Sequence, residues 1–289
     1  MYYFLGLIIL IINKLKHLFF GYSKPRPIFK SDIDKNIGYV NEIMERFKNE
    51  VASSYGENFS FKDKSVLEIG PGSDLGAGFW FLNQKVKSYV GIDKFNLLVN
   101  NEEFYNKLVL NFGNLELSDL AKNINKLLED KKDIDLSNFK YFNISANELG
   151  ELNKQFDIIF SHAVLMHINN LDEDFEKMYD SLKKGGIMYH QIDFKTFTNF
   201  LRKRDPLNML RYSKGLYKFI KYNTSPNRLR INDYEEILKR IGFKDIKLIA
   251  WNKMSLMEVK KLKKEFTSPF CDYKDEDLQV LTGVVIARK

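Results

Sequence analysis

Val66-Leu67-Glu68-Ile69-Gly70-Pro71-Gly72-Ser73 is the stretch that decides the fold. A short apolar run carrying an acid leads into a glycine-rich turn. Twenty-one residues after Gly72, Asp93 closes a second apolar run, Tyr89-Val90-Gly91-Ile92-Asp93. Glycine lacks Cβ and tolerates positive φ, so the backbone of the first turn can approach a ligand closely. An acid about 20 residues further on can accept from both hydroxyls of a ribose. The layout suits a nucleoside, and the spacing alone fits either NAD or S-adenosylmethionine.

The same alternation continues along the chain. Strand-like runs are expected at 65–69, 88–93, 139–144, 156–161, 187–193, 244–251 and 279–287. Helical patterns stand between most of them, at 34–51, 78–83, 171–182, 232–242 and 254–266. Lys183-Lys184-Gly185-Gly186 reads as a basic last helical turn with a glycine stop. Residues 95–138 exceed a usual crossover and read as an insertion with its own amphipathic helix. Residues 196–231 are basic and aromatic and read as an irregular substrate lid. Strands alternating with helices predict an α/β fold with a mostly parallel, doubly wound sheet. The expected domains are an N-terminal helix over 1–22, a linker and helix over 23–60, and one catalytic domain over 61–289.

The chain has 289 residues and a formal net charge of +7. That sign favours nucleic acid, phosphorylated substrate or acidic lipid, although lysines spread over solvated faces give the same total. A single cysteine, Cys271, excludes an intramolecular disulfide, a Cys-rich zinc site and an iron–sulfur cluster held by one chain. The expected location is the cytoplasm, at the inner face of the membrane. Tyr2 to Ile12 is uncharged and almost wholly apolar, and Lys14, Lys16 and His17 follow. Eleven helical residues span about 16 Å, short of a hydrocarbon core of about 30 Å. An interfacial helix over residues 1–20, with its lysines on anionic lipid, is the expected reading. A helix packed on the domain or in a dimer seam is the alternative.

Four pieces in series then carry a resemblance: Glu68-Ile69-Gly70-Pro71-Gly72, Gly91-Ile92-Asp93, Phe156–Ile168 with its Ser161-His162-Ala163-Val164 centre, and Leu182-Lys183-Lys184-Gly185-Gly186. Together, over roughly residues 60–195, they resemble the class I S-adenosylmethionine-dependent methyltransferases. The later strings Pro206–Ser213 and Asn227-Arg228-Leu229-Arg230 are similar to a branch found in bacterial surface-polysaccharide pathways. The resemblance implies a Rossmann-like sheet of seven strands, helices on both faces and the last strand antiparallel. It implies S-adenosyl-L-methionine as cofactor. Gly70 and Gly72 would line its methionine and ribose part, Glu68 would hold the turn, and Asp93 would bind the ribose diol. Ser145, Ala146 and Asn147 would contact adenine, and Ser161 and His162 would stand over the methionine end. The sequence departs from the pattern at Asp74, where a glycine is common, and at Met166, where an acid is frequent.

A hydroxyl acceptor must lose a proton as the new bond forms, so a positioned base is expected. His162 and Asp193 lie near strand ends, and His190 is a third candidate. Alternation sets His190 and Asp193 on opposite faces of their strand. Arg202, Arg204, Arg211, Arg228 and Arg230 would suit a phosphate-linked sugar, or else are charge around a lid. The chemistry needs no metal. The expected function is methyl transfer to a hydroxyl of a small molecule or glycan intermediate. An RNA methyltransferase is one alternative, although no RNA-binding module accompanies the lid. A catalytically inactive binding protein on the same fold is another. Tyr217-x-x-x-Lys221 echoes a dehydrogenase spacing, which a chain with 15 Tyr produces readily by chance.

Overall fold

Two helices precede the sheet in the computed structural model, which describes residues 2–20, 32–57, 59–130, 133–222 and 224–289. They are α1 (Tyr2–Phe20) and α2 (Ile33–Tyr55). The linker expected at the start of 23–60 lies outside the described residues up to residue 31. Asp32 caps α2 by accepting from the Lys35 amide at 3.0 Å, and the helix buries Ile37, Val40, Met44, Phe47 and Val51 along one stripe.

The sheet elements then follow. β1 (Ser65–Ile69), α3 (Gly76–Asn83) and β2 (Ser88–Ile92) form the first crossover. The expected insertion folds into α4 (Glu102–Phe112), α5 (Ser118–Glu129) and β3 (Ile134–Asp135). Next come β4 (Phe139–Phe142), β5 (Phe156–His162), α6 (Leu171–Ser181) and β6 (Leu182–Asp193). Residues 196–231, the expected lid, contain two short helices, α7 (Asn199–Arg204) and α8 (Lys214–Ile220), and so are less irregular than their composition suggests. The chain ends with α9 (Ile231–Ile241), β7 (Lys244–Lys253), α10 (Leu256–Lys263), α11 (Asp275–Leu278) and β8 (Val280–Arg288).

All seven expected strands form, and β3 adds a two-residue edge, giving eight strands in the order β3-β4-β2-β1-β5-β6-β8-β7. β1 runs parallel to β2 and β5, and β2 parallel to β4. β8 is antiparallel to β6: the Gly185 amide donates to Lys289 O, and the Phe194 amide to Leu281 O, so one number rises as the other falls. The fold is a Rossmann-like α/β sheet of the expected class. Lys183-Lys184-Gly185-Gly186 is a correction. These residues open β6 instead of closing α6, and Gly185, at φ +77°, bends the strand where it meets Lys289. A helix stop and a strand entry draw on the same residue types, so composition does not separate them.

The chain divides into two compact units. One holds α1 together with residues 163–172 and 190–287. The other holds α2 through residue 162, with 173–189 and 288–289. In the second unit Phe47 is fully buried, with the rings of Tyr189, Phe160, Phe61 and Phe81 centred 4.8, 5.0, 5.5 and 5.6 Å away. In the first, Leu207, Leu210, Tyr212, Tyr217, Phe266 and Phe270 form a core, and Tyr3, Leu7 and Leu10 of α1 pack against it.

Candidate active site

Strand register assembles the site. Ile69 pairs with Ile92, and Ile92 with Phe142, so Gly70, Asp93 and Asn143 follow their strands at the same level. Hydrogen bonds tie these ends together: the Gly70 amide donates to Ile92 O at 2.7 Å, and the Asn143 side chain to Asp93 O at 2.6 Å. On the other side of β1, Glu68 pairs with Phe160. Continuing that register by two residues brings His162 level with Gly70. Ligands in open parallel sheets bind beyond these carboxyl ends.

The turn after β1 requires its glycines. Gly70 and Gly72 have φ of +71° and +79°, values that a side chain at either position would strain. A Cβ built on Gly72 would meet nothing within 4 Å, so the turn presents bare backbone to open space. Asp93 holds this turn. One carboxylate oxygen accepts from the Gly72 amide at 3.3 Å and the other from the Phe95 amide at 3.2 Å. A carboxylate has about four acceptor positions, so Asp93 keeps capacity for a diol. These residues fit the sugar of a nucleoside cofactor.

Burial shapes the acids below the turn. Desolvation pushes Asp93 up to about 6, against the two amide bonds. Glu68 is pushed up to about 8 by burial, opposed by the Tyr89 hydroxyl that donates to it at 2.6 Å, with the Asp74 and Asp93 carboxylates adding to the rise. Asp74, which replaces a common glycine, is raised by burial and accepts from the Gly76 amide at 3.0 Å.

Ser145, Ala146 and Asn147 open a 3-10 turn after β4. The Ser145 amide and hydroxyl both donate to Glu148, and its hydroxyl also meets Asn147 Oδ1. Those side chains are engaged in capping, so the turn's backbone is what it offers to a ligand. Ser161 is buried within β5. β5 ends at His162 because Ala163 turns the chain at φ +57°. His162 Nε2 meets the Tyr39 hydroxyl of α2 at 3.0 Å, while Nδ1 has no hydrogen-bond partner among the described residues. Burial, aided by the Arg46 guanidinium, lowers its pKa to about 4. Tyr39 carried no sequence signal, since it sits on a helix ahead of every motif.

The remaining candidates belong to the other unit. Asp193 forms ion pairs with Arg202 and, at 3.9 Å, with Lys195, and it accepts from the Lys195 amide at 3.0 Å. It anchors the start of the lid. His190 is fully buried, and burial lowers its pKa to about 3. His167 stacks on Phe197 and donates from Nδ1 to Thr224 O at 2.8 Å, which makes it a packing residue.

The five arginines need correction. Arg230 is fully buried and donates to the carbonyls of Phe194, Leu278 and Val280. Arg228 donates to Tyr212 O at 2.6 Å and lies over the Tyr217 ring. Arg211 pairs with Asp205 and Glu265, Arg202 with Asp193, and Arg204 stacks on Phe200. Arg211, Arg228 and Arg230 are buried on protein partners and so are not an anion site, whereas Arg202 and Arg204 remain at least partly exposed.

Comparison with solved structures finds several methyltransferases at low identity. A SAM-dependent methyltransferase from Archaeoglobus fulgidus is 15% identical, with 90% of this chain and 96% of that one covered and a TM-score of 0.45. For the CurJ carbon methyltransferase the figures are 13%, 99% and 66%, with a TM-score of 0.49. For phosphoethanolamine N-methyltransferase 2 of Haemonchus contortus, in complex with S-adenosyl-L-methionine, they are 17%, 83% and 51%, with 0.45. A comparison with curated proteins finds no match. The sequence model of the methyltransferase domain matches residues 39–248, which include β1 to β6 and the start of β7. The match covers well over half of the sequence, and the chain belongs to the methyltransferase-domain family.

Proposed function

We propose that the chain transfers a methyl group from S-adenosyl-L-methionine to a hydroxyl of a small molecule or glycan intermediate. The observation that carries the acceptor class is His162, level with Gly70 and with Nδ1 unbonded while Nε2 meets Tyr39. A neutral imidazole that donates from Nε2 to the Tyr39 oxygen would hold its lone pair on Nδ1, which is buried and must be uncovered for an acceptor to reach it. Burial leaves the imidazole neutral at pH 7 but also a weaker base than a free histidine, so positioning must supply its effect. The cofactor, when bound, supplies an electrophilic methyl on a sulfonium. The protein's task is to align the acceptor at about 3 Å and exclude water.

Around the cofactor, Gly70 and Gly72 offer backbone, Asp93 accepts from the ribose diol, and Glu68 lies behind the turn. The 145–147 turn contacts adenine, and Ser161 supports the methionine end. Asp193 acts through Arg202 and Lys195, by holding the lid in place.

Calorimetry tests the cofactor. S-adenosylmethionine or its demethylated product should bind at micromolar levels, about −8 kcal/mol. Tight NADH binding without a response to either sulfur nucleoside would reject the reading. Asp93→Ala should weaken binding by about 1.5–3 kcal/mol, the loss expected of a charge-assisted hydrogen bond. Unchanged affinity would remove Asp93 from the ribose site. Mass spectrometry of metabolites and glycans from a deletion strain tests the acceptor, and methylated RNA in their place would overturn it.

Affinity should also depend on pH in a set direction. Protonated Asp93 loses acceptor capacity, so binding should weaken as pH falls below about 6. A cationic ligand favours the ionised form of Glu68, whose pKa stands at about 8. Binding near pH 7 should therefore release protons, measurable as a dependence of the heat on buffer ionisation enthalpy. Affinity that is flat from pH 5 to 8, with no proton release, would contradict both assignments.

A further inference from the structure

Helix α1 has two faces with different fates. Tyr3, Gly6, Leu7, Leu10, Lys14 and His17 recur at helical spacing and meet the lid. Asn208 donates to Tyr2 O at 3.0 Å and the Tyr212 hydroxyl to Tyr3 O at 3.0 Å. Gly6 permits this approach, since a Cβ there would stand 2.0 Å from Asn208 Oδ1. His17 stacks on Tyr222, and Lys14 donates to Phe219 O.

The opposite face is apolar and exposed. Phe4, Ile8, Ile12, Leu15, Leu18 and Phe19 line it, with Phe4 70% and Leu18 72% accessible. The lid extends this surface. Phe219, 73% accessible, lies against Lys14, and exposed Phe200 packs edge-on against Tyr2. Exposed patches of this kind mark interaction sites.

We infer that α1 and the lid together form one docking face for an anionic lipid bilayer, with α1 lying in the plane of the interface. Charge selects this occupant. Arg202 and Arg211 are paired with Asp193, Asp205 and Glu265; apart from these, residues 2–20 and 196–222 hold seven Lys and Arg, none of them buried, and no further acid. These seven cations belong to the same two segments as the exposed apolar side chains. Cations flanking inserted apolar residues suit an anionic headgroup layer. A second copy of the chain would bring the same positive charge against its own image, which opposes self-association through this face. A membrane span would strip α1 from its polar contacts with Asn208 and Tyr212 and draw Lys14, Lys16 and His17 into hydrocarbon. The inference does not depend on the methyl acceptor.

Full-length protein should co-sediment with phosphatidylcholine vesicles containing about one third phosphatidylglycerol, and weakly with phosphatidylcholine alone. Ile8→Asp on the outer face of α1 and Phe219→Ser in the lid should each lower the partition coefficient at least about tenfold. Both side chains are exposed, so thermal melts should match the parent protein; deleting α1 would instead uncover the lid core. Loss of binding in Ile8→Asp with none in Phe219→Ser would overturn the composite face. So would equal binding to neutral vesicles, resistance to alkaline extraction, or a lipid-free dimer that Ile8→Asp converts to monomer.

Discussion

His162→Gln is expected to lower turnover by roughly 10²–10⁴-fold, the usual contribution of a positioned base, while cofactor affinity stays unchanged. Glutamine keeps a polar group of similar reach near Tyr39 and removes the basic nitrogen. The interaction lost is one that matters chiefly in the transition state, so the effect belongs in kcat. The pH profile adds a second reading. Because burial holds the imidazole pKa near 4, its protonation should cost activity only as pH approaches that value, with no limb near 6.5. Asp193→Asn should have the smaller effect on kcat, since its carboxylate already serves Arg202 and Lys195. Full turnover in His162→Gln, or a larger loss in Asp193→Asn, would transfer the base role away from β5.

Arg230→Met should destabilise the chain by about 3–5 kcal/mol, because several charge-assisted bonds worth about 1.5–3 kcal/mol each are lost together. Its guanidinium reaches three carbonyls on two segments, Phe194 on one and Leu278 and Val280 on the other, and lies 5.0 Å from the Phe194 ring centre. Methionine fills much of the volume but leaves those carbonyls buried without donors. Arg230→Lys should recover only part of the loss, since a single ammonium cannot reproduce the planar fork. Urea unfolding of the full-length variants measures both. A cost under about 1 kcal/mol for Arg230→Met would show that the carbonyls find other donors.

The contrast between these two residues shows what the sequence makes legible. The strands could be read because apolar runs bounded by glycine and polar turns are a local pattern. Gly70, Gly72 and Asp93 could be read because a close backbone turn and a distant acid are also set by local geometry and spacing. β3 escaped because two residues carry no periodicity. Tyr39 escaped because its meeting with His162 depends on how α2 packs. The arginines misled because a buried guanidinium satisfied by carbonyls and a solvated one have the same sequence. The exposed half of α1 was visible as an apolar run, but its inner face depends on Asn208 and Tyr212, roughly two hundred residues away in sequence.

β8 lies between β6 and β7 in the sheet, yet it follows both in the chain. During synthesis, β6 must therefore wait with an open edge until residues 280–288 leave the ribosome. An unpaired apolar edge recruits other strands while it waits. A nascent chain stalled before β8 is then a natural client for a chaperone, and expression should respond more to translation speed in the last third of the message than in the first.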